Sequence, residues 1–207
     1  MDPLKIEKYR DFKIEIYSDG CSEDPREAWD NLCTMICFHK RYTLGDKHDF
    51  SSSDFQSWIE LKKALMKNHG AYLIEPLFML DHSGITIRMG YGFGDVDPQG
   101  WDWGQIGYIW TSREKILKEY GVKRISPEIK EKVQRIMQSE IEIYDQYLRG
   151  EIYGYTIEDP VGDSCWGYYG YDFEKNGLLD DARNAIDWYI EQTVQMRAEA
   201  NIMEVGN

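Results

Sequence analysis

The segment from Leu32 to Tyr42 carries two cysteines, and a histidine follows the second one at a spacing of two. The segment is rich in β-branched and aromatic residues and has neither Gly nor Pro, which is typical of a strand near the centre of a sheet. In such a strand Cys37 and His39 lie on one face, about 6.6 Å apart. A thiolate and an imidazole at that separation predict half of a metal site.

The other half has to come from elsewhere in the chain. The tight turn Asp81–Gly84 offers a carboxylate and an imidazole, and His48 is the next candidate by type. Zinc binds thiolate, imidazole and carboxylate together in a tetrahedron, so we predict a structural zinc ion that ties the strand to the turn. Its predicted ligands are Cys37, His39, Asp81 and His82. The alternative is a core cysteine, a half-buried histidine with satisfied hydrogen bonds, and ordinary turn residues.

The loop Asp95–Asp102 places three carboxylates around a glycine, which is superficially similar to a calcium-binding loop. It departs from the EF-hand pattern at Gln99, the fifth position, and at Ile106, where a bidentate glutamate should stand. The alternative, a solvated connection whose carboxylates cap backbone amides, is favoured by these departures.

None of the sequence patterns of nucleophile elbows, phosphate-binding loops, dinucleotide-binding loops or HExxH zinc proteases occurs. We therefore expect a binding protein and not an enzyme. The alternative is a metal-dependent hydrolase of a small phosphoester or signalling nucleotide. Its ion would be held by His39, Asp81 and His82, with one position open for water. The absence of a clustered ligand motif favours the binding protein over this alternative.

Negative charge is concentrated near the end of the chain. The net charge is −13, and residues 140–207 hold 15 acids against four bases, a balance of −11. Such a segment repels a phosphate backbone and attracts a basic surface, so we expect a cationic protein partner and no direct contact with nucleic acid. The alternative is an acidic surface that only keeps the protein in solution.

The same acidic third contains two segments rich in tyrosine and glycine, Tyr153–Tyr155 and Trp166–Tyr171. Tyr and Trp are the residues that most often anchor protein interfaces, and acidic neighbours select the partner. The residues predicted to contact the partner are Tyr168, Tyr171, Asp180, Asp181 and Asp187. The alternative is a tyrosine-rich core whose hydroxyls reach the rim.

The elements that must position these residues mix strands and helices without regular alternation. That mixture predicts an α+β fold, with a mostly antiparallel sheet packed against about four helices. A length of 207 residues predicts a single domain, residues 1–207, with one core. The predicted strands are residues 11–19, 32–42, 71–80, 84–89, 105–110, 151–158 and 164–171, and the predicted helices are residues 53–68, 111–121, 126–150 and 178–200.

We expect the protein to stay in the cytoplasm and to have no membrane partner. No segment approaches the roughly 20 uninterrupted apolar residues that a membrane-spanning helix needs. The first residues lack the cationic and apolar regions of a secretory signal. In a cytosol the four cysteines stay reduced, so they are predicted to be free or metal-bound.

Four segments taken together resemble a family of uncharacterised phage and prophage proteins. They are Pro25–Asp46, Leu80–Gly84, Trp101–Gly107 and Asp163–Gly167, and the resemblance spans most of the chain. The third departs from the family pattern at Trp103, where a small residue is expected. Small acidic accessory phage proteins are often inhibitors of host defence, and some anti-CRISPR proteins act on Cas9 of type II-A systems. The resemblance therefore implies an inhibitor that occupies the cationic nucleic-acid channel of such a nuclease.

Overall fold

The structure is a computed structural model that describes residues 2–205, with side chains described for residues 2–199. Within these residues, eight strands form two four-stranded antiparallel sheets accompanied by five α-helices, so the predicted α+β class is confirmed. The strands are β1 Lys5–Tyr9, β2 Phe12–Ser18, β3 Thr34–Cys37, β4 Ala71–Asp81, β5 Ile85–Met89, β6 Trp103–Ser112, β7 Ile152–Ile157 and β8 Asp163–Tyr169. The helices are α1 Pro25–Ala28, α2 Trp58–Asn68, α3 Arg113–Glu119, α4 Pro127–Leu148 and α5 Leu178–Val205.

The chain divides into two compact units. The terminal unit combines Met1–Ser22 with Gly150–Asn207, and the central unit is the continuous segment Glu23–Arg149. Each unit has hydrophobic clusters of its own, where the sequence predicted a single core. That residues 1–207 form a single domain stays a prediction.

In the terminal unit, strands from both ends of the chain pair with each other. The strand order is β1-β2-β7-β8. Ile14 lies opposite Ile157 and Ile16 opposite Tyr155, so β2 and β7 present one continuous apolar face. The first turns of α5 cover this face, and the core residues that they contribute are Leu178, Leu179, Ala182 and Ile186.

The two edge strands of this sheet are β1 and β8. β1 carries two exposed lysines, Lys5 and Lys8. β8 pairs with β7 through a register shift between Tyr153 and Gly154. The Trp166 indole lies against Gly154, where a Cβ would come within 2.3 Å of a ring atom. Glycine at this position therefore permits the close approach of the ring to the backbone.

The sheet of the central unit has the order β3-β6-β4-β5 and is covered on both faces. Because side chains alternate along a strand, Met35 and Ile36 point to opposite faces. Met35 joins a large cluster that contains the buried face of α4, and Ile36 joins a second cluster with Leu61 and Leu65 of α2. The α4 residues of the first cluster are Val133, Met137, Ile141 and Tyr144.

Local sequence signals set the limits of the helices that follow β6. Ser112 caps α3 by accepting a hydrogen bond from the backbone N–H of Lys115 at 3.1 Å. Ser126 caps α4 by accepting a hydrogen bond from the backbone N–H of Ile129 at 3.3 Å, and Pro127 occupies the first helical position. These starts match the predicted ones, because a capping hydroxyl and an N-terminal proline act within a few residues.

Three other elements, β1, α2 and β3, differ from the prediction. β1 falls in a segment for which no strand was predicted, and α2 begins at Trp58 with Ser57 as its cap instead of at residue 53. β3 ends at Cys37 because the chain turns back on itself: Gly45 bridges Ile36, and the Asp46 N–H donates to the Met35 carbonyl at 2.9 Å.

Among the described residues, no helix combines the length and the apolar character that crossing a membrane requires.

Candidate functional site

A cleft of about 870 Å³ opens in the central unit, between the end of β3, the loop that follows it and the start of α2. Its lining includes three buried apolar residues, Cys37, Leu44 and Leu61. Half-buried aromatic residues also line it, among them Phe38 and Trp58, whose ring centres are 6.2 Å apart with planes at 27°. The cleft thus combines an apolar surface with aromatic rings.

The polar residues of the cleft carry more positive than negative charge. Lys40 and Lys47 line it, and both are exposed. Lys47 also pairs with Glu27 at 2.8 Å, but both side chains are exposed, and such a pair contributes little stability. Among the described residues Lys40 forms no ion pair. The one acidic residue in the lining, Asp46, is already paired, as described below.

His48, which lines the cleft, has a buried ring nitrogen without a hydrogen-bond partner among the described residues. Its Nε2 lies 3.2 Å from the Cys37 carbonyl oxygen. A carbonyl oxygen only accepts, so Nε2 carries the proton, and in the neutral ring Nδ1 is an acceptor. Nδ1 is buried and has no hydrogen-bond partner within the described part of the chain.

A buried ionic network holds the loop that forms the cleft. The Arg26 side chain is 1% exposed and donates to both carboxylate oxygens of Asp46 at 2.8 Å, and to Glu140 at 2.9 Å. Asp46 in turn accepts from the Met35 N–H at 2.8 Å. Burial lowers the pKa of Arg26, but the hydrogen bonds and charges of Asp46 and Glu140 raise it by a larger amount. The pKa therefore lies above its ordinary value, and the guanidinium stays charged.

The functional importance of Arg26 and Glu140 was not predicted from the sequence. The carboxylate of Glu140 accepts from the backbone N–H groups of Leu32 and Cys33 at 2.9 and 3.1 Å, and so joins α4 to the start of β3. The signal available in the sequence was that α4 has Glu140 beside its apolar stripe, next to Ile141. A charged residue at the border of a buried face needs a partner.

The structure does not bring the predicted zinc ligands together. Cys37 and His39 line the cleft, whereas Asp81 and His82 lie at the β4–β5 turn. Since β3 ends at Cys37, the prediction that His39 shares a strand face with it is wrong. The His39 ring instead stacks on Tyr42, with centres 5.0 Å apart and planes at 9°.

Each of the other predicted ligands has a different partner. Asp81 forms an ion pair with Arg41, and His82 Nδ1 lies 2.7 Å from the Asp102 carboxylate. Burial raises the pKa of the Cys37 thiol to about 12, so the thiol would have to lose a firmly held proton to bind zinc. Within residues 2–199, no three His, Cys, Asp or Glu side chains form a group that could hold a metal ion. The zinc ion stays a prediction.

The carboxylates of the calcium-like loop are also engaged. Asp97 accepts from four backbone N–H groups of residues 99–102, at 2.7 to 3.2 Å, and these bonds lower its pKa. Asp95 pairs with Arg88, and Asp102 faces His82. Asp97 thus caps the loop's own amides, as the alternative interpretation predicts, whereas Asp95 and Asp102 have side-chain partners.

In the terminal unit, the residues predicted to contact a partner differ in their exposure and in the hydrogen bonds and ion pairs that they already form. The Tyr168 hydroxyl donates to Asp181 at 2.8 Å, and Asp187 pairs with Arg10 at 3.0 Å and accepts from a tyrosine hydroxyl. Asp180 is exposed, with Arg183 at 3.7 Å, and Tyr171 is 70% exposed. Asp180 and Tyr171 are therefore the most accessible members of the set.

Comparisons with known protein families, with curated proteins and with solved structures find no match to this chain.

Proposed function

We propose that the protein is an acidic binding protein whose terminal unit docks on the cationic, nucleic-acid-binding surface of a partner protein. The observation that carries the proposal is the distribution of charge between the two compact units. The terminal unit holds 17 acids and 7 bases, a net charge of −10, and the central unit carries only −3. The excess charge therefore belongs to one folded body.

The accessible carboxylates of that body support the proposal. From residue 150 onward, the exposed acids with described side chains are Glu158, Asp159, Asp172, Glu174, Asp180, Asp181, Glu191 and Glu199. Few cations balance them: Lys175 pairs with Asp172 at 2.7 Å, and Arg183 pairs with Glu174 at 2.7 Å. A surface with this balance raises the local concentration of a cationic partner and speeds its association.

Together with the phage-protein resemblance, this surface points to one kind of partner. A Cas9-type nuclease holds its heteroduplex and its displaced strand in positively charged channels. An acidic protein in such a channel competes with the phosphate backbone and stops DNA from loading, without any catalysis. The protein we propose is a phage-encoded inhibitor of this type, acting in the cytoplasm of the bacterial host, and Tyr171 is its exposed aromatic anchor.

The proposal is tested with a purified type II-A Cas9, with and without guide RNA. Binding is measured by biolayer interferometry at several salt concentrations, and inhibition is measured by DNA cleavage. A triple variant, Glu158→Lys, Asp180→Lys and Glu191→Lys, is compared with the unchanged protein. We expect the triple variant to bind at least about tenfold more weakly, and the affinity of the unchanged protein to fall as salt rises.

The matched control reverses three exposed acids of the central unit, Glu114→Lys, Glu119→Lys and Glu131→Lys. The change in net charge is the same, and Glu114 occupies the first turn of α3 as Asp180 does that of α5. The control variant should retain its affinity. Absence of binding to Cas9 at low salt would overturn the nuclease proposal, and equal losses in both variants would overturn the role of the terminal unit.

A further inference from the structure

We propose that the cleft in the central unit binds a small planar aromatic anion, of the class of a nucleoside monophosphate. This ligand site belongs to the central unit, and the proposal does not depend on the identity of the protein partner. Three features of the cleft carry the proposal: its size, the sign of its charge and its aromatic lining.

The size of the cleft suits a small molecule. Ligand pockets typically enclose about 300 to 1,000 Å³ and combine apolar walls with a few polar groups. The volume of about 870 Å³ lies within this range, and Leu44 and Leu61 supply a buried apolar surface. A nucleoside monophosphate fits a space of this volume.

The charge of the cleft is opposite to that of the chain. In a protein of net charge −13, the cleft is lined by two lysines and one aspartate. The carboxylate of Asp46 is occupied by Arg26 on both of its oxygens, which leaves the cleft with uncompensated positive charge from Lys40. An anionic group is therefore attracted to this cleft.

The walls of the cleft favour a flat ring. Phe38, Phe55 and Trp58 are half-buried and line the cleft, so parts of their surfaces face its interior. Aromatic side chains bind nucleobases by stacking, and the interaction tolerates different bases because every base has a π face.

The experiment is isothermal titration calorimetry of the full chain at low salt. The four common nucleoside monophosphates are compared with adenosine, which lacks the anion, and with inorganic phosphate, which lacks the ring. We expect at least one monophosphate to bind about tenfold or more tightly than either adenosine or phosphate, because only the monophosphate meets both the rings and the lysine.

Two substitutions locate the binding. Lys40→Glu reverses the charge of the cleft, and its matched control Lys63→Glu makes the same change at an exposed position of α2 outside the lining. Phe55→Leu keeps an apolar side chain but removes a ring. Lys40→Glu and Phe55→Leu should each weaken binding about tenfold while circular dichroism shows both variants folded, and Lys63→Glu should bind normally.

Each contrary result overturns the proposal. Failure of all four monophosphates to bind at millimolar concentration removes the site. Equal affinity for phosphate alone means that the rings play no part, and equal affinity for adenosine means that the charge plays none. An equal loss in Lys63→Glu and Lys40→Glu places the binding outside the cleft.

Discussion

Arg26 brings together three parts of the central unit that are distant in sequence. Through Asp46 it holds the loop behind β3, through Glu140 it holds α4, and it also donates to the Cys33 carbonyl at 2.8 Å. A buried charge is tolerated only when its partners surround it, and here the donors of the guanidinium are matched by carboxylate and carbonyl oxygens. The shape of the cleft therefore depends on one side chain outside its lining.

Replacing this guanidinium should destabilise the protein strongly. Arg26→Leu leaves two carboxylates without their cation, and breaking a buried ionic network in this way costs about 3 to 5 kcal/mol of unfolding free energy. Urea denaturation followed by circular dichroism measures the loss. Arg124→Leu, at an exposed position, is the control and should change the free energy by less than about 0.5 kcal/mol.

A substitution at Glu140 provides a second test of the ionic network. Glu140→Gln keeps one oxygen to accept from the Leu32 and Cys33 amides, so it should cost less than Arg26→Leu. A loss below about 1 kcal/mol for Arg26→Leu would contradict the role assigned to the network.

At the residue scale, the chemical character of a side chain could be judged from the sequence, but its contact partners could not. Cys37 was one of two alternatives, a zinc ligand or a small core residue, and the structure places it in the large cluster of the central unit. Arg26 was not predicted because nothing in the residues beside it indicates that its partners stand 20 and 114 positions away. Contacts at such separations are set by tertiary packing.

At the scale of elements, the pairing of β3 with β6 depends on a glycine. A Cβ at Gly107 would lie 1.8 Å from the Ile36 carbonyl oxygen, a backbone atom that cannot move without distorting the strand. Gly104 stands on the same strand, β6, with no atom within 4 Å of the equivalent position. The two positions allow a clean comparison.

Gly107→Ala should therefore weaken the protein while Gly104→Ala should not. We expect Gly107→Ala to lose about 1 to 3 kcal/mol or more, since overpacking forces backbone shifts, and Gly104→Ala to stay within about 0.5 kcal/mol. Thermal and urea unfolding measure both variants. Similar losses at the two positions would mean that the close approach of β3 to β6 is not what Gly107 provides.

The elements predicted well are those whose signals are local. Ser126 and Pro127 set the start of α4, and periodic apolar residues carry it to Leu148. The end of β3 was not predictable in this way, because it depends on Gly45 returning to pair with Ile36. The sequence between Phe38 and Tyr42 has the composition of a strand, but tertiary pairing overrides that preference.

At the scale of the whole molecule, the continuous central unit is inserted between the two segments of the terminal unit. The sequence could not indicate this division, because its only sign is the pairing of β2 with β7, more than a hundred residues later. The accumulation of acids after residue 140 was visible in the sequence, and most of it falls in the terminal unit. The cleft was not predicted, since its residues come together only when the loop folds back.

The central unit should fold when expressed alone as residues 23–149. It is continuous and contains complete hydrophobic clusters, as an independent domain requires. We expect a cooperative thermal transition by circular dichroism. A control fragment of residues 23–138 lacks Glu140, Ile141 and Tyr144, and it should not fold stably.

The fragment experiment also decides the prediction that residues 1–207 form a single domain. A cooperative transition of fragment 23–149 would make that prediction wrong. If the fragment is unfolded, the two compact units depend on each other and the single-domain prediction stands.

The edge strands of the terminal unit bear on how the protein behaves at high concentration. An open strand edge is a template on which another chain can add, and proteins block such growth with lysines and with bulges. β1 carries Lys5 and Lys8, and β8 pairs with β7 through the register shift at Gly154, the β7 glycine against which the Trp166 ring lies. Both borders of the sheet are thus guarded against fibril-like polymerisation, so the acidic terminal unit can remain dispersed at high concentration.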